Sequence, residues 1–379
     1  MATSYLEVAK ELRPQLEAAL EGHEDGPLPE AAVDALNQAD MFKLKMPKEI
    51  GGLEAPLDEC LDVFAEVSHA DGSAGWCLMA SCAATGFFGA YGGDDLIAEM
   101  VTDGQAPIAA GQFAPVGSAV PTEGGYDISG QYQFGSGINH AQWVGAGLLT
   151  AVEEGQNPDF LLALFPKDNA TVTGNWDVLG LEGTASYDYH VDGLFVPDDA
   201  TFNFFTADRK RGGPVYDLGV LVLTAAGHAG FAIGVIRRAL DELRDKAAGA
   251  HKRMAARSTL ADSERFVYDL AVLESRFRSA EYWVRDAYGR AEASLNNTGE
   301  LDLTAMMEAR QATTFITQEG ADIVHKAYLH AGTMGLREGV LNRCFRDIHA
   351  GSQHAVVSPG STEDFGKHLI DTAPNKPTD

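Results

Sequence analysis

Apolar residues recur along this chain with two periods, and the switches between them divide it into three. Over the first hundred residues the period is helical, with Leu6, Leu12, Leu16 and Leu20 at helical spacing. Pro27 and Pro29 break that segment, and a helix resumes over 31–39. The Gly- and Pro-rich stretch 47–56 reads as a loop and 57–70 as helix again. Asp71-Gly72-Ser73 forms a turn that can cap the apolar helix expected over 74–89. Near Pro107 the period drops to two. Tyr126, Ile128, Tyr132 and Phe134 all fall on even positions, the alternation of a half-buried strand. Further strands are expected over 144–152, 160–165 and 189–197. Short strands at this spacing predict a small antiparallel β-barrel or sandwich. Beyond residue 214 the helical period returns. Phe266, Leu270, Leu273, Phe277 and Ala280 step by four, three, four and three, as a bundle seam does. Four helices are expected there, over 218–248, 262–296, 302–331 and 337–356, followed by a polar, frayed tail from 371. The predicted class is therefore α+β: an N-terminal helical domain at 1–105, an antiparallel β-domain at 106–213 and a C-terminal four-helix bundle at 214–379.

Composition narrows the partners. A length of 379 residues exceeds what one core ordinarily fills. The net charge of −27, from 55 acidic against 28 basic residues, makes nucleic acid and anionic membranes poor partners. An anionic ligand needs local basic islands. Two exist: His251, Lys252, Arg253 and Arg257, and Arg209-Lys210-Arg211. Cys60, Cys77, Cys82 and Cys344 form no Cys-x-x-Cys pair, which fits buried thiols in a reducing cytoplasm. The N-terminus has neither a basic n-region nor an apolar h-region, so no secretory leader is expected. The longest apolar run, 218–236, is interrupted by four glycines and His228, so no membrane span is expected.

Several chemistries lack their signatures. There is no phosphate-binding loop and no Gly-x-Gly-x-x-Gly, so phosphoryl transfer and a Rossmann nicotinamide site have no support. Nothing resembles a nucleophile elbow. His325 and His330 are five apart, as are His349 and His354, which is not one helical face. Asp322 and His325 share a face but stand alone, whereas a di-iron bundle needs two such pairs, so no metal is expected.

Two stretches carry candidate chemistry. One is Arg346-Asp347-Ile348-His349-Ala350-Gly351-Ser352-Gln353-His354, late in the helical region. The other, Phe134-Gly135-Ser136-Gly137-Ile138-Asn139-His140, ends a strand in a small, hydroxyl-bearing turn. A site built from a β-unit and a distant helical bundle suits a flat cofactor between them. With 71–76, 110–115 and 176–186, these stretches resemble, in order, segments of the acyl-CoA dehydrogenase superfamily. They are most similar to the oxygenase components of two-component flavin-dependent monooxygenases, the branch of 4-hydroxyphenylacetate, steroid-ring and dibenzothiophene oxygenases. The resemblance implies reduced FMN (or FAD) as cofactor, O2 as co-substrate and a small organic substrate. It also implies a separate NAD(P)H flavin reductase, in keeping with the missing nicotinamide fingerprint; a homotetramer is expected because the C-terminal bundle carries more apolar helix faces than four helices hide, and a cytoplasmic enzyme from the unpaired thiols.

Site residues follow from the same resemblance. Ser136 becomes a catalytic and flavin-binding hydroxyl near ring N5, or simply a bulge turn. Trp76 walls the flavin ring, or is core. Gln112, Thr184 and Ser186 contact the flavin, or serve their own loops. Arg257 reaches the flavin phosphate, a role suited to a guanidinium fork, or lies on a solvated face. His354 is a general acid or base, since free imidazole titrates near pH ~6.5, or a capping residue. His349 contacts substrate or hydrogen-bonds locally. Two departures stand out. The segment after Arg346-Asp347 lacks the dehydrogenases' catalytic glutamate and holds His354, Ala355 and Val356 instead. Ala84, in the substrate pocket, stands where the monooxygenase branch often has histidine. The rival expectations are a flavin dehydrogenase or oxidase of this fold, and a flavin-free binding protein.

Overall fold

A computed structural model describes residues 4–23, 26–102, 107–151, 155–249, 252 and 258–374. Helices come first: α1 (Tyr5–Leu20), α2 (Glu30–Gln38), α3 (Leu57–Ala70), α4 (Gly72–Tyr91) and α5 (Asp94–Met100). Asp71 caps α4 as its sequence implies, its Oδ1 accepting from the Ala74 backbone N–H at 3.0 Å. Every described residue of α4 except Ala80 is buried, so this helix is a central post rather than an amphipathic surface element.

Seven strands follow: β1 (Ala109–Thr122), β2 (Gly125–Gly135), β3 (Trp143–Thr150), β4 (Phe160–Pro166), β5 (Thr171–Val172), β6 (Tyr187–Pro197) and β7 (Thr201–Asn203). They form one sheet in the order β5-β6-β2-β1-β3-β4-β7. The expectation of a purely antiparallel unit is corrected at one pair, because β1 and β3 run parallel. The reason lies in the connection. β1 and β2 form a hairpin, so β2 ends beside the start of β1. Residues 136–142 then cross to the far edge of β1, where Trp143 pairs with Ala109, and β3 leaves in β1's direction. The crossing segment contains Ser136. The even-position alternation holds at Ile128 and Tyr132, where Tyr132 stacks on Tyr189 with centroids 5.0 Å apart. It breaks at Phe134, which is exposed and has a positive φ of 63°.

The remaining helices are α6 (Gly219–Ala248), α7 (Glu264–Thr298), α8 (Leu303–Ala331), α9 (Val340–Gly351) and α10 (Pro359–Asp371). Ser263 and Asp302 cap α7 and α8. The helix expected over 337–356 ends sooner, at Gly351, and α10 begins with Pro359 at its first position, where a missing N–H costs nothing. His354 therefore lies in the break between two helices, not within one. By length and composition α6 is apolar enough to cross a membrane, contrary to the sequence expectation, but most of it is buried against the rest of the protein.

Candidate active site

The turn after β2 is built by backbone constraints. Phe134 and Gly137 both take the left-handed conformation, and Gly137 donates its N–H to the Thr184 carbonyl at 2.9 Å. A side chain at Gly137 would be strained at φ 73°, though it would meet Cys77 of α4 only at ordinary contact distance. Ser136 is thereby set between α4 and the 180–186 loop.

A directional chain of hydrogen bonds results. Trp76 Nε1 donates to Ser136 Oγ at 3.1 Å. Ser136 and Ser186 hydroxyls lie 2.7 Å apart, as do those of Ser186 and Thr184. Thr184 Oγ1 donates to the Leu181 carbonyl at 2.7 Å. A carbonyl only accepts, so Thr184 spends its one proton there. Ser186 must then donate to Thr184, and Ser136 to Ser186. With its proton committed and one lone pair occupied by Trp76, Ser136 is left as an acceptor for an incoming N–H or O–H.

The 180–186 loop is held in turn by α9. Asp347, which is 4% exposed, accepts from the Leu181 backbone N–H through Oδ1 at 2.7 Å. Arg346 pairs with Glu182 at 2.6 Å, and Gly180 packs directly on the Arg346 carbonyl. Leu181 and Ala185 flank the loop's short helical turn with positive φ. The Arg346-Asp347 pair thus clamps the loop that carries Thr184 and Ser186. Burial and the nearby Asp71 carboxylate push the Asp347 pKa up to about 7.

On the other side of Trp76 lies an aromatic and imidazole cluster. The indole meets Phe231 and His228 of α6 at right angles, with centroids 5.0 and 4.8 Å away, and His354 at 5.8 Å. His228 and His354 are themselves 4.2 Å apart, centroid to centroid. His354 Nδ1 accepts from the Val356 backbone N–H at 3.2 Å, which leaves the proton of its neutral ring on Nε2. One side of His354 is open to solvent and the other is crowded by protein, and this desolvation lowers its pKa to about 4. His228 is buried, and desolvation followed by its neighbour His354 lowers its pKa well below the ordinary value. Both imidazoles are neutral at pH 7.

Ser136, Trp76, Thr184, Ser186 and His354 are therefore brought together. Trp76 is 8% exposed and packed as core. Gln112 is one step away: its Oε1 accepts from Gln133 N–H at 3.4 Å and its backbone N–H donates to Tyr189 Oη. Ala84 is buried in α4, eight residues beyond Trp76. His349 does not join the cluster. Its Nδ1 donates to the Phe345 carbonyl of its own helix at 2.7 Å, and its ring packs on Phe345. This placement gives no support to the expected substrate contact. Arg257 lies outside the described residues. Sequence reading missed the parts played by His228 and Asp347. His228 is the one titratable side chain within the apolar run 218–236, and that isolation was the available signal.

The arrangement fits a flat, partly apolar ring. Phe134, exposed two residues before Ser136, meets the half-buried Trp176 edge to face with centroids 6.1 Å apart, an apolar edge beside the turn.

Residues 226–359 match the family model of the acyl-CoA dehydrogenase C-terminal domain. Indole-3-acetate monooxygenase of Pseudomonas putida is 29% identical over 90% of this chain and 87% of its own. The oxygenase component of an FADH2-dependent resorcinol hydroxylase from a Rhizobium species is 26% identical over 87% of this chain and 85% of its own. The structure of XiaF from a Streptomyces species, in complex with FADH2 and glycerol, superposes with a TM-score of 0.88. That superposition covers 99% of this chain and 96% of XiaF at 21% identity. The chain has the acyl-CoA dehydrogenase fold.

Proposed function

We propose that this protein, the oxygenase component of a flavin-dependent monooxygenase, binds externally reduced FMN or FAD over the Ser136 turn and oxygenates a small aromatic substrate beside Trp76 and His354. When bound, the reduced flavin activates O2 and delivers one oxygen atom to the substrate while the other leaves as water. The single observation that carries the site assignment is the one-way hydrogen-bond chain ending at Ser136. It commits every hydroxyl proton inward and leaves an acceptor facing outward, the complement of the N–H at a reduced ring's N5. Thr184 and Ser186 orient Ser136. Gln112 lies beside the turn as a further amide for the ring edge, and Arg257 is the candidate cation for flavin phosphate. His354, neutral at working pH, presents its Nε2–H to the substrate, and takes up a proton there once Nδ1 is released by the Val356 N–H. On this reading the units 1–105, 106–213 and 214–379 each contribute one wall.

The aromatic class is supported by the ring-lined cluster of Trp76, Phe231, His228 and His354, and by the substrates in the relatives' names. A separate reductase supplies the flavin, since the sequence carries no nicotinamide fingerprint. A dehydrogenase reading loses ground because the buried carboxylate on α9, Asp347, is engaged by the 180–186 loop. Tyr268, Val272 and Tyr282 form an exposed stripe on α7, which supports a homotetramer with this face covered. Buried free thiols at Cys60, Cys77, Cys82 and Cys344 support a cytoplasmic location. The test is reconstitution under 18O2 with NAD(P)H, with and without a flavin reductase. Label in product only when the reductase is present supports the proposal; turnover without it, or product without label, overturns it.

A further inference from the structure

His228 is the cluster's unexplained member. It lies on α6 and is 3% exposed. It touches Trp76 and stands 4.2 Å, centroid to centroid, from His354. Among the hydrogen bonds of the described residues, none reaches either of its ring nitrogens. Neither nitrogen is among the described side-chain atoms that are sealed from water without a partner, so both keep a narrow contact with the open side of the cluster. Phe231, one turn along, fills the same wall with no polar atom, whereas His228 brings a donor and an acceptor that no protein group uses.

We infer that His228 is a substrate-binding residue: its imidazole pairs with a ring N–H or O–H of the substrate and so selects indole-like and phenolic aromatics over hydrocarbon rings. The inference rests on the functional reading above and names the substrate class of that site. A neutral imidazole presents one donor and one acceptor. His354, whose Nδ1 is taken by Val356, presents only its Nε2–H toward a ligand. The pair therefore offers two donors and one acceptor on an otherwise aromatic wall. An apolar pocket with a few convergent polar groups of this kind fixes the orientation of a flat ring. α4 supplies no polar side chain at Ala84, so this recognition falls to α6. Selection by hydrogen bond is also sharper than selection by shape, since a ligand lacking the group leaves the histidine unpaired.

The probes are indole-3-acetate, its 1-methyl derivative and resorcinol. Binding is measured by calorimetry on the full-length, flavin-free protein, and coupling as the ratio of oxygenated product to hydrogen peroxide under a supply of reduced flavin. Wild type should bind indole-3-acetate or resorcinol. His228→Phe, which keeps the ring volume, should weaken that binding about tenfold and shift oxygen toward peroxide, while reduced-flavin affinity stays within about twofold. His228→Gln should restore part of the loss. The 1-methyl derivative should bind wild type about as weakly as indole-3-acetate binds His228→Phe. Probe binding unchanged in His228→Phe, equal binding of the methylated probe where indole-3-acetate is the ligand, or no binding of either unmethylated probe to wild type overturns the assignment. If wild type takes up no reduced flavin, the functional reading itself falls, and the assignment with it.

Discussion

Trp76 and Ser136 are joined by a 3.1 Å hydrogen bond from the indole Nε1 to the serine hydroxyl, which couples the central helix α4 to the turn after β2. Removing the hydroxyl leaves the indole N–H unpaired and takes from Ser186 one of its two hydroxyl partners. Ser136→Ala should therefore cost about 1–2 kcal/mol in stability, the range for an unpaired, partly buried donor. It should retain reduced flavin but divert oxygen to peroxide, because the acceptor for ring N–H is gone. Chemical denaturation and the product-to-peroxide ratio check both parts. Unchanged coupling would remove Ser136 from the chemistry.

Asp347 tests the loop clamp. Asp347→Ala deletes the acceptor for the Leu181 N–H and should cost about 1.5–3 kcal/mol. Asp347→Asn keeps an acceptor and should cost far less. The pH dependence has a definite sign. The folded pKa of about 7 is raised above the usual 3.8. The wild-type advantage from this group is therefore full below about 3.8 and is lost as pH rises through about 7. The stability difference between wild type and Asp347→Asn should shrink over that interval; a difference growing with pH would contradict the protonation assigned here.

How much of this was legible beforehand depends on the range of the interaction. The capping of α4 by Asp71 and the seam of Phe266, Leu273, Phe277 and Ala280 are local periodicities, and the structure keeps them. The motifs at 134–140, 176–186 and 346–354 marked the residues that meet, since Ser136, Ser186, Thr184 and Trp76 form one chain. What the motifs did not carry was tertiary. Parallel pairing of β1 with β3 follows from where the 136–142 connection crosses, which no strand pattern encodes. Asp347 reads as a helix residue until Leu181, 166 positions away, is seen on it. His228 reads as an interruption in an apolar run until Trp76 and His354 close around it.

The α7 stripe predicts assembly. Tyr268, Val272 and Tyr282 follow helical spacing and are all exposed, with Tyr282 at 74%. Sedimentation at micromolar protein should show a tetramer. Tyr268→Glu with Tyr282→Glu should yield a smaller species with its secondary structure intact, because charged groups would have to be desolvated in the contact. A tetramer that survives the double substitution would move the interface elsewhere.

His354 carries the sharpest pH prediction. Free histidine would titrate near pH ~6.5 and place a limb in the middle of the working range. Desolvation beside Trp76 and His228 instead lowers the His354 pKa to about 4. A depressed histidine stabilises the fold fully above about 6.5, and that contribution is lost as pH falls toward about 4. Catalysis that needs the neutral ring should accordingly be flat from about pH 5 to 8 and fall only below that. The same depression makes His354 a weak base, so its removal should sit near the low end of general acid–base effects. His354→Ala should lose about 10²-fold in oxygenation, with O2 consumption continuing as peroxide. His354→Asn should recover little, since an amide hydrogen-bonds but does not take up the proton. A wild-type profile with its midpoint near pH 6.5 that vanishes in His354→Ala would show that the imidazole is solvated during turnover, and that the crowded geometry is not the one in which it works.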